Sequence, residues 1–177
     1  SFTKHGYPMD AHCLFHRMLF QGFIPDKVMF VTLISSCSNE EVLSIGKIMH
    51  VQMMYCDGLA HMDVIVGTTL ITMYNKCGDI QAAKNAFGMV EQRNVISWNA
   101  LISGYADHGY GQEALNCFQK MQEEGIIADV VTYICSLKAC GSIKSTMKGQ
   151  EMHGEIAKKG FDGELLVGNT LVDMYAK

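Results

Sequence analysis

Apolar residues recur along this chain in steps of three and four, and the recurrence is interrupted at regular intervals. In residues 95–129, a first apolar stripe consists of Leu101, Ile102 and Tyr105, and a second consists of Ala114, Leu115, Phe118 and Met121. Residues 64–94 repeat this plan with Leu70, Ile71 and Tyr74, then Ala83, Phe87 and Val90. Such steps place side chains on one face of a helix. No run alternates with period two for long enough to indicate a strand, so the pattern predicts an all-α chain.

Glycines separate the predicted helices. Gly78 lies between the two stripes of residues 64–94, and Gly109 and Gly111 lie between those of residues 95–129. Gly22 and Gly125 each follow a second stripe, where a helix end favours glycine. Each segment is therefore predicted to form two antiparallel helices joined by a turn.

The chain also repeats itself over a longer distance. His5-Gly6-Tyr7 returns as His108-Gly109-Tyr110, and Gly46, Met49 and His50 return 103 residues later. This repetition divides the chain into units at residues 1–26, 27–63, 64–94, 95–129, 130–164 and 165–177, of which the first and last are incomplete. We expect one array without a domain boundary, belonging to a longer series of repeats. Stacked hairpins bury a continuous core, which predicts a right-handed α-solenoid.

Composition narrows the class of protein. The chain is 49% hydrophobic and 18% charged, and it contains no apolar run long enough to predict a membrane span. The seven cysteines include no CxxC pair, which indicates packed free thiols in a reducing compartment. A formal charge of −4 argues weakly against nucleic acid, although it does not describe how charge is distributed.

Candidate catalytic or metal sites are weak. His12 and His16 are four residues apart and could share a metal, but no third ligand has suitable spacing. His50 and His153 recur at equivalent places, which favours a packing role. Phosphate-binding glycine loops and the zinc deaminase pattern are absent from the sequence. We therefore expect no catalytic residues, no metal and no cofactor.

Polar residues at the unit boundaries are the stronger candidates. Thr68 and Asn99 stand fifth in their units, while Asn94 and Asp129 stand last. Stacking is expected to bring Thr68 to Asn94 and Asn99 to Asp129, and each pair could hydrogen-bond the edge of an unstacked base. The second residues, Ile65 and Ile96, could pack on the face of that base. The alternative is that the boundary residues are helix caps, which Asn and Asp also favour.

The motifs resemble pentatricopeptide repeats of the plant class that alternates three motif lengths. VISWNALISGYADHGYGQEALNCFQKMQEEGIIAD resembles its standard motif, and VIVGTTLITMYNKCGDIQAAKNAF resembles its short motif. LISSCSNEEVLSIGKIMH and SLKACGSIKSTMKGQEMH resemble its long motif. Tetratricopeptide repeats have a similar period, but their W-x₂-L-G-x₂-Y pattern is not found.

This resemblance implies that single-stranded RNA is bound with one base read by each repeat. By the family's code, Asn99 with Asp129 favours uracil and then cytosine, and Thr68 with Asn94 favours adenine. Ile65 and Ile96 match base-sandwiching positions, and Lys76 and Lys177 match a phosphate-contacting lysine. Asp26 and Asn169 are unpaired halves of the code.

Departures from the family pattern are also visible. Val31 and Ile134 occupy the fifth place of the long motifs, so Asp63 and Glu164 lack a polar partner there. Asp107 stands where Lys76 stands in its own unit. We expect the long motifs not to read bases in the usual way.

The resemblance implies a target-recognition module of a mitochondrial or chloroplast RNA-editing or RNA-processing factor. Any deaminase chemistry would lie outside these residues, and the expected partners are RNA and possible editing cofactor proteins, with no membrane and no small-molecule substrate. The alternative function is a protein-binding helical scaffold with little RNA affinity, which the acidic balance and the apolar Val31 and Ile134 favour.

Overall fold

The structure, a computed structural model, describes residues 8–56 and 63–177. The repeated motif His5-Gly6-Tyr7 lies outside the described residues. Within them the chain forms ten α-helices and no strand. The helices are α1 (Pro8–Phe20), α2 (Lys27–Ser36), α3 (Leu43–Cys56), α4 (Val64–Lys76), α5 (Ile80–Met89), α6 (Val95–Asp107), α7 (Gly111–Glu123), α8 (Val130–Ser142), α9 (Thr146–Lys159) and α10 (Leu165–Ala176). A 3-10 turn, Glu40–Val42, precedes α3.

The helices belong to two compact units, residues 1–92 and 93–177. In the first unit, α2 packs against α4, and α4 forms a hairpin with α5. In the second unit, α6 packs against α8 and α8 against α10, while α7 pairs with both α6 and α8. In each unit, therefore, the first helices of successive hairpins contact one another directly.

The cores follow the apolar stripes. In the second unit, Ile102, Ala114 and Met121 are completely buried, and Leu101, Tyr105, Leu115 and Phe118 are also buried. In the first unit, Leu70, Ile71 and Ala83 are completely buried, and Tyr74, Phe87 and Val90 join them. The helical periodicity predicted from the sequence is confirmed at each of these positions. Burial of each leucine, isoleucine, phenylalanine, methionine or valine among them stabilises a protein by about 1.5–3 kcal/mol.

Polar caps and glycines set the ends of the helices. Asp26, Asp79, Asn94 and Asp129 are N-caps whose side chains accept a hydrogen bond from a backbone N–H of the following turn. Gly78 and Gly125 adopt φ angles of +77° and +76°, in the left-handed region that favours glycine. The first helices begin at residues 27, 64, 95, 130 and 165, where the sequence repeat begins its units.

The two recurring histidines pack against tyrosines. In the first unit, Nδ1 of His50 lies 2.9 Å from the Tyr74 hydroxyl, with the rings edge to face. In the second unit, Nδ1 of His153 lies 3.2 Å from the Tyr175 hydroxyl in the same arrangement. The structure therefore places both histidines in a repeated contact between neighbouring hairpins, as the packing interpretation predicted.

Candidate nucleic-acid interface

Asn99 and Asp129 meet in the second unit. Asn99 lies on α6, and Asp129 immediately precedes α8, which packs against α6. Nδ2 of Asn99 donates to Oδ1 of Asp129 at 2.9 Å. Thr132 joins the pair, because its hydroxyl lies 2.6 Å from Oδ1 of Asn99. The expected contact between the fifth and last residues of the repeat at residues 95–129 is therefore present. Thr132 is a third side chain in this contact that the sequence reasoning missed.

Asp129 is held as a carboxylate. Partial burial opposes its ionisation, but hydrogen bonds from the Thr132 backbone N–H, the Asn99 amide and the Thr132 hydroxyl outweigh burial and lower its pKa. The side-chain hydrogen bonds of Asn99 and Thr132 both reach Oδ1 of Asp129. The backbone N–H of Val131 also contributes to lowering the pKa of Asp129.

The capping and pairing interpretations describe the same residue. Oδ1 of Asp129 accepts from the backbone N–H of Thr132 at 2.9 Å and completes a capping box, while it also accepts from Asn99. An N-cap carboxylate has room for both donors because each of its oxygens offers two lone pairs. Helix capping thus positions the group that contacts Asn99.

Thr68 and Asn94 lie in different compact units, and their pairing remains a prediction. Asn94 is the N-cap of α6 and forms a capping box with Ser97. Oδ1 of Asn94 accepts a hydrogen bond from the Ser97 backbone N–H at 3.0 Å. Thr68 is half-buried on α4, and its hydroxyl has no hydrogen-bond partner among the described residues. A buried hydroxyl in this state is suited to a ligand that completes its hydrogen bonding.

A small cleft of about 180 Å³ is lined by Thr68 and its neighbours in the first unit. Thr68, Thr72 and Lys76 project at four-residue intervals along α4, and Ser35 of α2 contributes to the opposite wall. The hydroxyls of Ser35 and Thr72 already donate to backbone carbonyls, so they present acceptor lone pairs. Together with the exposed ammonium of Lys76, the cleft offers acceptors for base amines and a cation for phosphate.

The second-place residues are exposed. Ile65 and Ile96 are 56% and 60% accessible. The same place is occupied by exposed apolar side chains in the other units, which the sequence reasoning did not identify: Val28, Val131 and Leu166. Exposed apolar side chains that recur once per unit present apolar surface on which a base could pack.

The long motif of residues 27–63 pairs its last residue differently. Nζ of Lys27 lies 2.8 Å from Oδ2 of Asp63, and the Lys27 contact is the largest cause of the lowered pKa of Asp63. Asp63 also caps α4 through the backbone N–H of Ile65. The carboxylate that lacks a polar partner at Val31 is therefore neutralised by the first residue of its own unit.

Other predicted site residues have local partners. Lys177 lies 2.6 Å from Asp173 through its Nζ, and Asp107 lies 3.5 Å from the ammonium of Lys138. Asp26 caps α2 by accepting from the backbone N–H of Met29 at 2.8 Å. Asn169 is exposed on α10. The ion pair at Lys177 competes with phosphate for its charge, whereas Lys76 lines the cleft.

The histidine pair on α1 is close but has only two members. Nε2 atoms of His12 and His16 lie 3.1 Å apart, and burial followed by the proximity of His16 lowers the pKa of His12. In the described parts of the chain, no three His, Cys, Asp or Glu side chains gather as metal ligands. Nor does any helix described here combine the length and apolarity of a membrane span.

Comparison with known proteins identifies the repeats. Models of the pentatricopeptide repeat match residues 68–95 and 93–142. Pentatricopeptide repeat-containing protein At4g18520, chloroplastic, of Arabidopsis thaliana is 32% identical over 99% of this chain and 28% of its own length. The mitochondrial protein At3g02330 of the same family and plant is 36% identical over 95% of this chain and 18% of its own length. The chain thus spans between 18% and 28% of the length of these relatives.

A solved structure agrees in fold. The pentatricopeptide repeat protein PPR10, crystallised with an 18-nt psaJ RNA element, aligns with a TM-score of 0.73 at 23% identity. The alignment covers 91% of this chain and 24% of PPR10. This likeness confirms the all-α solenoid class predicted from the sequence. The repeat models and the relatives agree with this fold, and the chain contains pentatricopeptide repeats.

Proposed function

We propose that this chain binds single-stranded RNA and that Asn99 with Asp129 selects the base opposite residues 95–129. The contact between these two side chains at 2.9 Å carries the proposal. An amide N–H and a carboxylate oxygen placed side by side offer one donor and one acceptor, as the edge of uracil or cytosine requires. PPR10, which shares the fold, was crystallised with RNA, and this supports the class of ligand.

Recognition of adjacent bases is the finer part of the proposal. By the family's code, Thr68 with Asn94 prefers adenine and Asn99 with Asp129 prefers uracil, so the two units together prefer 5′-A-U-3′. Ile65 and Ile96 would pack on the bases, and Lys76 would approach a phosphate. The Lys27–Asp63 ion pair supports the expectation that the first long motif does not read a base in this way.

The relatives support part of the proposed biological setting. Two of them carry the names chloroplastic and mitochondrial, which supports an organellar location, and we propose a role there in RNA editing or processing. The alternation of motif lengths supports the same class of factor. Under this proposal the residues recognise the transcript and catalyse no step.

The test is a base-specificity swap. Fluorescence anisotropy at low salt would compare four RNAs that differ only in the nucleotide after an adenosine. The wild-type chain should prefer uridine, and binding should weaken as salt rises because phosphate contacts release counterions. Asn99→Thr with Asp129→Asn should move the preference to adenosine, whereas Asn116→Thr on the exposed face of α7 should not. An unchanged base preference in the double variant rejects the assignment.

The alternative function, a protein-binding scaffold, draws support from α3. Ile48, Val51 and Tyr55 are 44%, 53% and 85% exposed, whereas the residues 103 positions later are Glu151, Gly154 and Lys158. Changing Ile48 to Glu and Tyr55 to Lys copies the polar counterpart. Loss of cofactor-protein binding with RNA binding intact would favour the scaffold function for this helix.

A further inference from the structure

Thr132 contacts the base-selecting pair without being accessible to a ligand itself. Its hydroxyl lies 2.6 Å from Oδ1 of Asn99, and the residue is completely buried, while Asn99 is 8% exposed. We propose that Thr132 is a positioning residue for base selection, acting through the orientation of the Asn99 amide. This inference rests on the proposed function of Asn99 and Asp129.

An asparagine amide changes its chemistry when it turns over. Rotation by half a turn exchanges a donor for an acceptor, and the terminal torsion of asparagine is broad. In this structure both ends of the amide are engaged, because Nδ2 donates to Asp129 and Oδ1 accepts from Thr132. The reversed orientation would set Oδ1 against the Asp129 carboxylate and separate the Thr132 hydroxyl from its acceptor. The remaining hydrogen of Nδ2 therefore keeps a fixed direction.

The hydroxyl of Thr132 has a choice of acceptors. It lies 2.9 Å from Oδ1 of Asp129 as well as 2.6 Å from Oδ1 of Asn99. The hydroxyl has one proton to donate, and the Asn99 oxygen is the nearer of its two acceptors. The Asp129 oxygen also accepts from the Asn99 amide and the Thr132 backbone. Without the hydroxyl, the buried carbonyl of Asn99 loses its donor and the amide is held from one side only.

The equivalent residue differs at the other boundaries. Ser97 stands third after residue 94, and its hydroxyl donates to the backbone carbonyl of Asn94 at 2.9 Å. The remaining third-place residues have no hydroxyl: Met29, Val66 and Val167. Among the described residues, a third-place hydroxyl directed at a fifth-place amide occurs only at Thr132, so the residue is a specific feature of the 95–129 unit rather than of every repeat.

The experiment compares Thr132→Val, which keeps the shape and the N–H donated to Asp129, with Thr132→Ser, which keeps the hydroxyl. The valine variant also loses the hydroxyl oxygen that accepts from the Asp129 backbone N–H, and the serine variant keeps that contact. Anisotropy with the four RNAs used for the swap measures the preference for uridine over adenosine. The valine variant should lose about fivefold to tenfold of that preference, the equivalent of one buried hydrogen bond. The serine variant should retain it, and the salt dependence of both should match the wild type.

A second measurement does not depend on the valine variant folding. In the wild-type protein, NMR exchange of the Asn99 side-chain amide should be slow compared with that of Asn169, an exposed asparagine at the same place in its unit. Rapid exchange at Asn99 overturns the proposal. So does full base discrimination in a folded valine variant, or equal loss in the serine variant.

These outcomes separate the inference from the proposed function. If the Asn99 and Asp129 swap changes the preferred base but Thr132→Val does not, only the role of Thr132 fails. If the wild-type chain itself prefers no base, the proposed function fails and the role of Thr132 fails with it.

Discussion

Replacing Asp129 by alanine removes two stabilising contacts at once. The first is the N-cap bond to the backbone of Thr132, and the second is the bond from the Asn99 amide. Loss of an N-cap destabilises by about 1 kcal/mol, and loss of a hydrogen bond to a charged group by about 1.5–3 kcal/mol. The contacts share one oxygen, so we expect a combined loss of about 2–3 kcal/mol. In a chain of this length that lowers the melting temperature by about 5–10 °C.

The assay is urea and thermal unfolding followed by circular dichroism, with two matched variants. Asp26→Ala removes an N-cap whose side chain accepts from the backbone N–H of Met29, and should lose about 1 kcal/mol. Asp129→Asn keeps an acceptor for both donors and should lose less than about 1 kcal/mol. The reasoning is refuted if Asp129→Ala is no more destabilising than Asp26→Ala, or if Asp129→Asn is as destabilising as Asp129→Ala.

Two further predictions concern packing. Burial lowers the pKa of His50, whose Nε2 has no partner among the described residues. Unfolding therefore takes up a proton as the pH falls below about 6.5, so the stability of the native state should decline there. In thermal melts between pH 5 and 7, His50→Asn should reduce this dependence of stability on pH. An unchanged dependence contradicts the assignment. Gly111→Ala would place a Cβ 2.8 Å from the backbone oxygen of Ala139 and should destabilise by about 1–3 kcal/mol. In the control Gly88→Ala on α5, the added Cβ meets open space, and the change should be neutral or stabilising by up to about 1 kcal/mol. Equal urea midpoints for the two glycine variants would exclude a close approach at Gly111.

The helices could be predicted from the sequence because each is marked by two independent patterns, the spacing of its apolar residues and the polar residue that precedes it. Leu101, Ile102 and Tyr105 follow the helical period and are buried, while Asn94 and Asp129 precede helices and cap them. Local capping and tertiary burial thus favour the same boundaries. The Asn99–Asp129 contact could be predicted for a related reason. When hairpins stack in order, the start of one first helix lies beside the start of the next first helix.

Contacts that depend on side-chain reach could not be predicted in this way. The Lys27–Asp63 pair joins the first and last residues of one unit, and a long flexible lysine has many alternatives that spacing does not distinguish. From the sequence, Thr132 at the third place of a helix is explained by the capping box that it forms with Asp129. Its additional hydrogen bond to Asn99 could not be inferred from that position. Val131 is half exposed, yet its hydrophobicity is indistinguishable from that of a core residue in the sequence.

Under the proposed function, the last residue of a repeat would have two roles, and this would limit how base choice can change. Asp26, Asp63, Asn94 and Asp129 all cap the helix that follows them through a side-chain oxygen. Residues that cap well form a short set, chiefly Asn, Asp, Ser and Thr. If this place also selects the base, a change within that set alters the donor and acceptor pattern while keeping the helix start, whereas a change outside it destabilises the repeat. Glu164 precedes α10 without a side-chain cap bond, so the capping constraint does not apply at this boundary. The fifth place of the same repeat holds Ile134, so Glu164 also lacks a polar partner there.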